Sequence, residues 1–530
     1  MSEGYFDVQK ANFGVGPEGP LLLTASKLSD SEHKMLQKLR GQILNHVNGN
    51  KLKQDYYEAA QVVKNMDIAV PRNLSDIGVA VGWAGTVVDA LDERVDFLGW
   101  VTDDGDLKGL DEAYVDNNLA VESNYAHLDS FTTGVSFVSV GNDEDLIPGA
   151  TKKQQLITVE SSSNATVEWD YRKRRTTAGL SQTTDEHGNV MAETLYLEGV
   201  NIFLRRNDAT EEFAVVGRDE HNIPRCFMTR LPNHSRPYQL AGRSEITKPV
   251  RYYTDAAVRT LLGMEVNREF YNAPQRFLLN VMPQDIGVTA EMTDAEKFQR
   301  GLTLAMGMMN IVPPRKDNTE GDPPSVVEMR VNPPTPYIEM IKAYSIQMAA
   351  ETGLPATLFG FVTDNPTSAD AIVKSEFRLT RRASRRINSF GAGWKEVALL
   401  TQLARNGTVD VDFLRRLRCK FANPMLPTQS ATADEIQKMI AAGVLVPDSS
   451  VTYDLYGRLD DLAVKQLERD KQRYEAKQLR KAMQEQSMQA AAAARANGGQ
   501  AGNNGQPPNG RPGQRSPSPQ RKPAAEAGAR

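Results

Sequence analysis

Apolar side chains recur every three or four positions along several long segments of the chain, the spacing that places them on one face of an α-helix. Residues 249–271 begin with a proline suited to a first helical turn and are followed by Pro274, which prevents continuation. Their apolar face comprises Val250, Tyr253, Ala257, Leu261 and Met264. The pattern predicts a helix about 35 Å long.

The same periodicity predicts a second long helix over 337–352, which Gly353 and Pro355 end. Its apolar face comprises Tyr337, Ile341, Tyr344 and Met348. The longest helix is predicted over 368–405, because one face stays apolar throughout. That face comprises Val373, Phe377, Ile387, Phe390, Trp394 and Val397. Other helices are predicted over 29–64, over 83–98, from the capping-box pair Thr432 and Glu435 onward, and over 459–484.

Between residues 132 and 232 the pattern changes to short alternating or β-branched runs separated by turn residues. These runs are 135–140, 156–160, 194–197 and 200–204. Residues 274–336, between the first two long helices, are irregular and include a polar, proline-rich loop over 313–324. We therefore expect an α+β fold that is mainly helical, with a β-rich region and an insertion between two helices.

Length, charge and cysteine spacing limit the classes of protein to which the chain can belong. A chain of 530 residues exceeds what one hydrophobic core usually serves, so two or more structural regions are expected. The formal charge of −5 argues against affinity that depends on gripping DNA phosphates. Cys226 and Cys419 lack CxxC spacing, which favours neither a disulfide framework nor a zinc site. No apolar stretch reaches the length of a membrane span, and no secretion signal is evident.

The sequence predicts no catalytic, metal or cofactor-binding residues, and therefore no enzyme. Residues 14–19 fit GxGxxG, but Pro17 removes a backbone amide that a phosphate-binding loop needs. The spacings GxxxxGK[ST], HExxH and GxSxG do not occur, and the six histidines are not paired at i, i+4. The acidic runs 103–106 and 143–145 are more typical of solvated loops than of ion sites.

Five arginines at i, i+3, i+4, i+7 and i+8 are predicted to form one stripe on the longest helix, opposite its apolar face. They are Arg378, Arg381, Arg382, Arg385 and Arg386. Like charges at this spacing repel one another, so they need a partner. Acidic residues of an adjacent subunit are the favoured partner, and phosphate or solvent are the alternatives.

Several short motifs occur in an order that is more specific than any one of them. They are residues 55–58 (DYYE), 87–95 (VVDALDERV) with Gly99, 223–224, 231–233, 242–246 (GRSEI), 273–276 (APQR), 351–355 (ETGLP) and 364–372 (DNPTSADAI). In these motifs and their order the chain resembles the portal proteins of siphophages, especially those that infect actinobacteria. The resemblance extends over residues 36–461.

The resemblance implies a homo-oligomeric ring, typically of twelve subunits, at one capsid vertex. The implied regions are a flexible arm (1–28), a wing (29–242), a first stem helix (243–273), a clip (274–336), a second stem helix (337–352), a tunnel loop (353–368), a long wing helix (369–407), a crown (408–485) and a disordered basic tail (486–530). The implied partners are passing double-stranded DNA, the terminase large subunit, the head–tail adaptor, and capsid and scaffold proteins. The ring would belong to the virion and assemble in the host cytoplasm.

Both predicted stem helices are close to neutral, which favours a surface along which DNA slides over one that binds it. The channel-lining candidates are Arg251, Asp255, Arg259, Glu339, Lys342 and Glu351. The tunnel-loop candidates are Phe361, Val362, Thr363, Asp364 and Asn365. Another structural virion protein, such as a capsid or adaptor subunit, is the first alternative. A DNA-packaging nuclease or ATPase is the second, but the sequence lacks the phosphate loop or clustered carboxylates that such enzymes need.

Overall fold

The computed structural model describes residues 28–63, 78–143, 154–207, 212–237, 241–272, 276–282, 287–289, 291–299, 309–313, 323–328, 333–360, 369–425, 429–447, 449, 452 and 461–497. The chain divides into two compact units, residues 1–428 and 429–530. Helices account for 50% of the structure and strands for 22%, so the fold is mixed with helix predominant.

The helices of the first unit follow the apolar periodicity closely. They are α1 (Asp30–Tyr57), α2 (Trp83–Asp92), α3 (Leu110–Asp116), α4 (Leu119–Thr133), α5 (Lys248–Asn272), α6 (Thr335–Thr352), α7 (Ala369–Asn406) and α8 (Val411–Arg416). Helix α1 begins with a capping box, in which the Ser29 side chain and the Glu32 carboxylate each accept a hydrogen bond from the other residue's amide. The long helices predicted over 249–271, 337–352 and 368–405 are confirmed as α5, α6 and α7.

Thirteen strands are described, most of them in the predicted β-rich region. They are β1 (Phe97–Val101), β2 (Val135–Asp143), β3 (Gln154–Glu160), β4 (Ala165–Asp170), β5 (Arg175–Thr184), β6 (Val190–Leu197), β7 (Asn201–Arg206), β8 (Phe213–Asp219), β9 (Met228–Pro232), β10 (Arg276–Leu279), β11 (Met309–Val312), β12 (Ser325–Glu328) and β13 (Arg418–Phe421). Strands β4 to β8 form an antiparallel meander, and β3, β2 and β9 form a second antiparallel sheet. Strand β1 pairs with β13, and β10 lies between β11 and β12.

The larger core is built around the C-terminal half of α7. Trp394 and Phe390 of α7 are fully buried, and the Trp394 ring stacks on Phe97 of β1 at 4.8 Å. The Trp394 indole N–H donates to Nε2 of His127 in α4 at 2.9 Å, and His127 Nδ1 donates to the carbonyl of Val95 at 3.1 Å. His127 is therefore a neutral, packed histidine, and burial lowers its pKa to about 3.

A second core joins α1 to the five-stranded sheet. Leu36, Leu39 and Ile43 of α1 pack against the inner face of β5 to β8. Within this core, Arg40 of α1 and Glu193 of β6 form a buried ion pair, and Gln182 Nε2 donates to the same carboxylate at 2.8 Å. A buried carboxylate with both an arginine and an amide partner avoids the cost of an unpaired charge.

Some boundaries differ from the sequence predictions. The helix predicted over 83–98 ends at Asp92, because Phe97 and Trp100 enter strand β1 and the core. Helix α4 was not predicted, since its buried face includes the polar residues Ser123, His127 and Ser130. The insertion over 274–336, predicted as irregular, contains the three-stranded sheet of β10, β11 and β12.

One prediction about side-chain placement is also corrected. Phe377 was placed on the buried face of α7, but its side chain is 63% exposed. The assignment of residues 408–485 to a crown stays a prediction. Within that range, Phe413 of α8 and Leu417, which directly follows α8, are fully buried in the larger core. The boundary between the two compact units follows Thr428.

The second unit contains the helices α9 (Gln429–Ala441) and α10 (Asp461–Asn497). Helix α9 begins three residues before Thr432, so Thr432 lies within the helix and is not its cap. Helix α10 continues 13 residues past Gln484, into the segment predicted as a disordered tail. The run of alanines from Ala490 to Ala494 accounts for this extension, because alanine has the highest helix propensity. The predicted arm and the tail beyond Asn497 lie outside the described residues.

Acidification should destabilise the larger core through His127. An unfolded histidine titrates near 6.5, whereas the folded one resists protonation, so stability is highest above pH 6.5 and falls by about 1.4 kcal/mol per pH unit as the pH drops below it. In His127→Gln this dependence should weaken, although Tm at pH 7.5 should fall. The measurement is Tm at pH 7.5 and 5.0, and His187→Gln, at an exposed histidine, is the control. An equal fall in Tm on acidification in the wild type and in His127→Gln would contradict the assignment of this pH dependence to His127.

Candidate functional site

Helices α5, α6 and α7 meet at the segment 242–246, which lies between strand β9 and the start of α5. The Glu245 amide donates to the Phe131 carbonyl at 2.9 Å, and the Ser244 hydroxyl donates to the Thr132 carbonyl. The Arg243 amide donates to the Asn233 carbonyl at 2.7 Å. These bonds attach the segment to the end of α4 and the end of β9. Helix α5 therefore starts from a fixed position on the rest of the first unit, which we call the body (the first unit without α5, α6 and the sheet of β10, β11 and β12).

Glu245 is the centre of this meeting point, which we call the Glu245 junction (Glu245, Asn233, Arg382 and Arg386). Arg382 Nη2 donates to Oε2 of Glu245 at 2.6 Å, and Arg386 Nη2 donates to Oε1 at 2.8 Å. Asn233 Nδ2 adds a bond to Oε1 at 3.1 Å. Both carboxylate oxygens therefore have charge-assisted partners, which are stronger than neutral hydrogen bonds.

Electrostatics favour the charged form of Glu245. The residue is only 7% exposed, and burial alone would raise the pKa of its carboxyl. Arg382 and Arg386 outweigh burial and keep the Glu245 pKa below its usual value. The carboxylate is thus an acceptor at neutral pH, and the ion pairs are present whenever the protein is folded near pH 7.

The end of α6 contacts the same helix α7. The last carbonyls of a helix lack intrahelical donors and carry partial negative charge. The Arg378 guanidinium donates to the Ala350 carbonyl at 3.4 Å, and the Arg382 guanidinium donates to the Thr352 carbonyl. Gly353 adopts φ +69° and approaches the Arg378 side chain so closely that a Cβ there would lie 3.0 Å from Arg378 Cδ.

The two tyrosines of the DYYE motif connect α1 with two other helices. The Tyr56 hydroxyl donates to both oxygens of Asp255 in α5 at 2.9 Å. The Tyr57 hydroxyl donates to Asp89 in α2 at 3.0 Å. Burial and the Asp255 carboxylate raise the pKa of Tyr56 to about 12, so it remains a donor at physiological pH. The body therefore contacts α5 at its base and along its first three turns.

Helices α5 and α6 pack against each other and leave much of α6 exposed. Tyr337 of α6 faces Gly263 of α5, where a Cβ would lie 3.3 Å from the tyrosine ring. The apolar residues Tyr252, Ile338, Met340 and Ile346 are between 45% and 57% exposed. Exposed apolar side chains grouped on one helix pair are typical of a protein interface.

The structure separates the predicted channel-lining residues into two groups. Asp255 accepts from Tyr56, and Arg251 lies over the Tyr56 ring at 5.9 Å, so both contact the body of their own chain. The other four are exposed on the helix pair: Arg259, Glu339, Lys342 and Glu351. Their role stays a prediction, and all five tunnel-loop candidates (Phe361, Val362, Thr363, Asp364 and Asn365) lie outside the described residues.

The predicted arginine stripe separates into two rows. Arg378, Arg382 and Arg386, spaced at i, i+4 and i+8, face the junction and the end of α6, whereas Arg381 and Arg385 are exposed. Arg386 is 5% exposed, so placing the whole stripe opposite the apolar face was wrong. The sequence interpretation also missed a partner within the same chain. The GRSEI motif before α5 and the i, i+4, i+8 spacing were the available signals.

Within the described ranges, no group of histidine, cysteine or carboxylate side chains is arranged to bind a metal ion. Asp103 and Asp104 of the first acidic run contact Arg416, at 3.3 Å and 2.5 Å. Among the helices whose residues are described, none has the length and apolar character needed to cross a membrane.

The sequence matches a family model and individual known proteins. The chain matches the family model described as phage portal protein, SPP1 Gp6-like, over residues 44–486. It is 29% identical over 395 residues to the portal protein of Mycobacterium phage L5, which covers 73% of this chain and 78% of that protein. The portal protein of Mycobacterium phage D29 is similar to the same extent, with 29% identity over 395 residues. The resemblance inferred from the sequence is confirmed.

Replacing Gly242 with alanine should disrupt the junction. Gly242 has φ +79°, and a Cβ there would lie 2.1 Å from the Gly134 carbonyl oxygen and 2.5 Å from that of Asn233. These are backbone atoms that cannot rotate away, so we expect the free energy of unfolding to fall by about 3 kcal/mol or more. Gly199 is a matched control because it has φ +99° with open space around it, and Gly199→Ala should cost only about 1 kcal/mol. The measurement is chemical denaturation of both variants. An equal decrease in the free energy of unfolding for Gly242→Ala and Gly199→Ala would contradict the close approach of Gly242 to the two carbonyls.

Proposed function

This chain belongs to the SPP1 Gp6-like family of phage portal proteins, and from that membership we propose how its residues form a channel for DNA. It is the portal subunit of a tailed bacteriophage and a structural component of the virion. The family implies an oligomeric ring in the phage capsid. The proposal concerns which parts of the chain surround the opening and what they do to passing duplex.

We assign the stem to α5 and α6, the helix pair that leaves the body at the Glu245 junction. The sheet of β10, β11 and β12, inserted between these helices, would be the clip that meets the terminase motor and later the head–tail adaptor. The segment after Gly353 would be the tunnel loop, closest to DNA. The unit from residue 429 would be the crown, and the remaining body with α7 would be the wing.

The observation that carries the proposal is the surface of the helix pair. Its exposed apolar residues, Tyr252, Ile338, Met340 and Ile346, are suited to side-by-side packing with the next subunit. A repeated contact of this kind between two different faces closes into a ring, for which we propose twelve copies. The pair would then form the wall around the opening.

The low net charge of the proposed wall favours sliding of DNA along it. Helix α5 has four basic and three acidic residues, for a net charge of +1, and α6 has one basic and two acidic, for −1. A wall about 37 Å long faces roughly 20 phosphates, at one per ~1.7 Å of duplex. Because the wall is neutral overall, it would neither bind these phosphates tightly nor exclude them.

A charged residue in the proposed interface should prevent ring formation. Ile346 is 49% exposed on α6, and Ile346→Asp would bury an unpaired carboxylate between subunits. We expect light scattering to show a single large oligomer for the wild type and mainly smaller species for Ile346→Asp. Val115→Asp, at an apolar position 74% exposed on α3, serves as the control. An intact oligomer in Ile346→Asp would refute this interface.

Reversing a charge on the wall should slow DNA. Glu339 is exposed on α6, away from the junction, and Glu339→Lys removes one negative charge and adds one positive charge per subunit on a nearly neutral surface. We expect the rate of DNA packaging to fall by a factor of about three, and the effect to shrink at higher salt as attraction to phosphate is screened. Glu186→Lys, at the exposed β5–β6 turn, makes the same charge change elsewhere. Equal rates for both variants and the wild type would argue against α6 as the wall.

A further inference from the structure

Two arginines of α7 cap the C-terminal end of α6. Arg378 and Arg382 donate to the carbonyls of Ala350 and Thr352, which have no helical donor of their own. Their positive charges also lie at the negative end of the helix dipole. The contact explains why a like-charged row at i, i+4 and i+8 is tolerated on α7, because each member has an acceptor on another element.

Arg382 differs from its neighbours in joining two elements at once. One of its terminal nitrogens donates to the Thr352 carbonyl at the end of α6, and the other donates at 2.6 Å to Glu245, three residues before α5 begins. The guanidinium is planar with donors in a fixed geometry, so both bonds constrain the relative position of the two helix ends. Among the hydrogen bonds between described residues, that of Arg378 goes to α6 and those of Arg386 go to Glu245.

The residues that directly follow Thr352 are packed against the body. Leu354 and Phe359 are each 4% exposed, and the Phe359 ring meets Trp83 of α2 edge-on at 5.9 Å. Between them, Ala356–Phe359 form a turn of 3-10 helix. The segment 353–360 therefore begins at the bond from Arg382 and ends at the contact with Trp83.

We propose that Arg382 is a positioning residue, which sets where segment 353–360 lies relative to both α5 and α6 and thereby sets the path that DNA takes past it. The inference rests on the proposed function, because it takes the segment after Gly353 as the part closest to DNA. Arg382 does not contact DNA in this proposal. It acts through the Thr352 carbonyl and Glu245.

Removing the Arg382 guanidinium should loosen the segment without unfolding the body. Its side chain is 21% exposed at the edge of the junction, and Arg386 with Asn233 would still bond to Glu245. Arg382→Gln loses the charge and the double contact. Arg382→Lys keeps the charge, but a single ammonium cannot reproduce the planar pair of donors, so it should restore the wild-type behaviour only in part.

The test compares full-length Arg382→Gln and Arg382→Lys rings with Arg381→Gln, which removes an exposed arginine from the adjacent row. Hydrogen exchange should be about tenfold faster at the amides of 353–360 in Arg382→Gln, and intermediate in Arg382→Lys. Exchange in α4 and the mass of the ring should be unchanged. DNA packaged per particle should fall by about half or more in Arg382→Gln and match the wild type in Arg381→Gln.

Three results would overturn the inference, two of which concern segment 353–360 itself. One is unchanged exchange over 353–360 in Arg382→Gln, and the other is faster exchange there with normal DNA packaging. A rise in exchange throughout the body, with a matching fall in Tm, would show a purely structural role and also overturn it. Failure of the proposed function is distinguishable from these outcomes, because Ile346→Asp would then leave the oligomer intact and Glu339→Lys would package DNA at the wild-type rate, whatever the Arg382 variants do.

Discussion

The ion pairs of Glu245 with Arg382 and Arg386 are the constraint on which the rest of the structure depends. A carboxylate that is 7% exposed is strongly unfavourable without partners, whereas two guanidiniums and one amide satisfy both of its oxygens. Because the three long helices meet at this group, it sets the directions of α5 and α6 together with the hydrogen bonds from Tyr56 to Asp255. If α5 and α6 form the channel wall, these contacts set the position of that wall.

Helix α7 connects this junction to the main core. Its N-terminal half carries the arginines that contact Glu245 and the end of α6, and its C-terminal half carries Phe390 and Trp394, which are fully buried. The Trp394 side chain in turn bonds to His127 of α4, the helix whose last turn receives the amide of Glu245. A displacement at the start of α5 would therefore be transmitted to the core through packed helices.

Periodicity predicted the long helices well, because in α5, α6 and α7 apolar residues recur every three or four positions and a proline or glycine follows the last turn. It could not predict α4, whose buried positions include serine and histidine that bond to distant backbone. Local sequence patterns also could not predict the Glu245 junction, because Glu245 and Arg382 lie 137 residues apart in the sequence. The GRSEI motif indicated the family, but a motif names residues without stating which distant side chain they contact. The same limit led to the assignment of the arginine stripe to a neighbouring subunit, when three of its members have partners in their own chain.

The most direct test of whether α5 and α6 line the channel is a density map of the assembled ring, resolved well enough to trace helices. We expect α5 and α6 of every subunit to surround a central opening wide enough for duplex DNA, with Glu339 nearer the axis than Glu186. An opening bordered by the five-stranded sheet, or particles with no central opening, would contradict it.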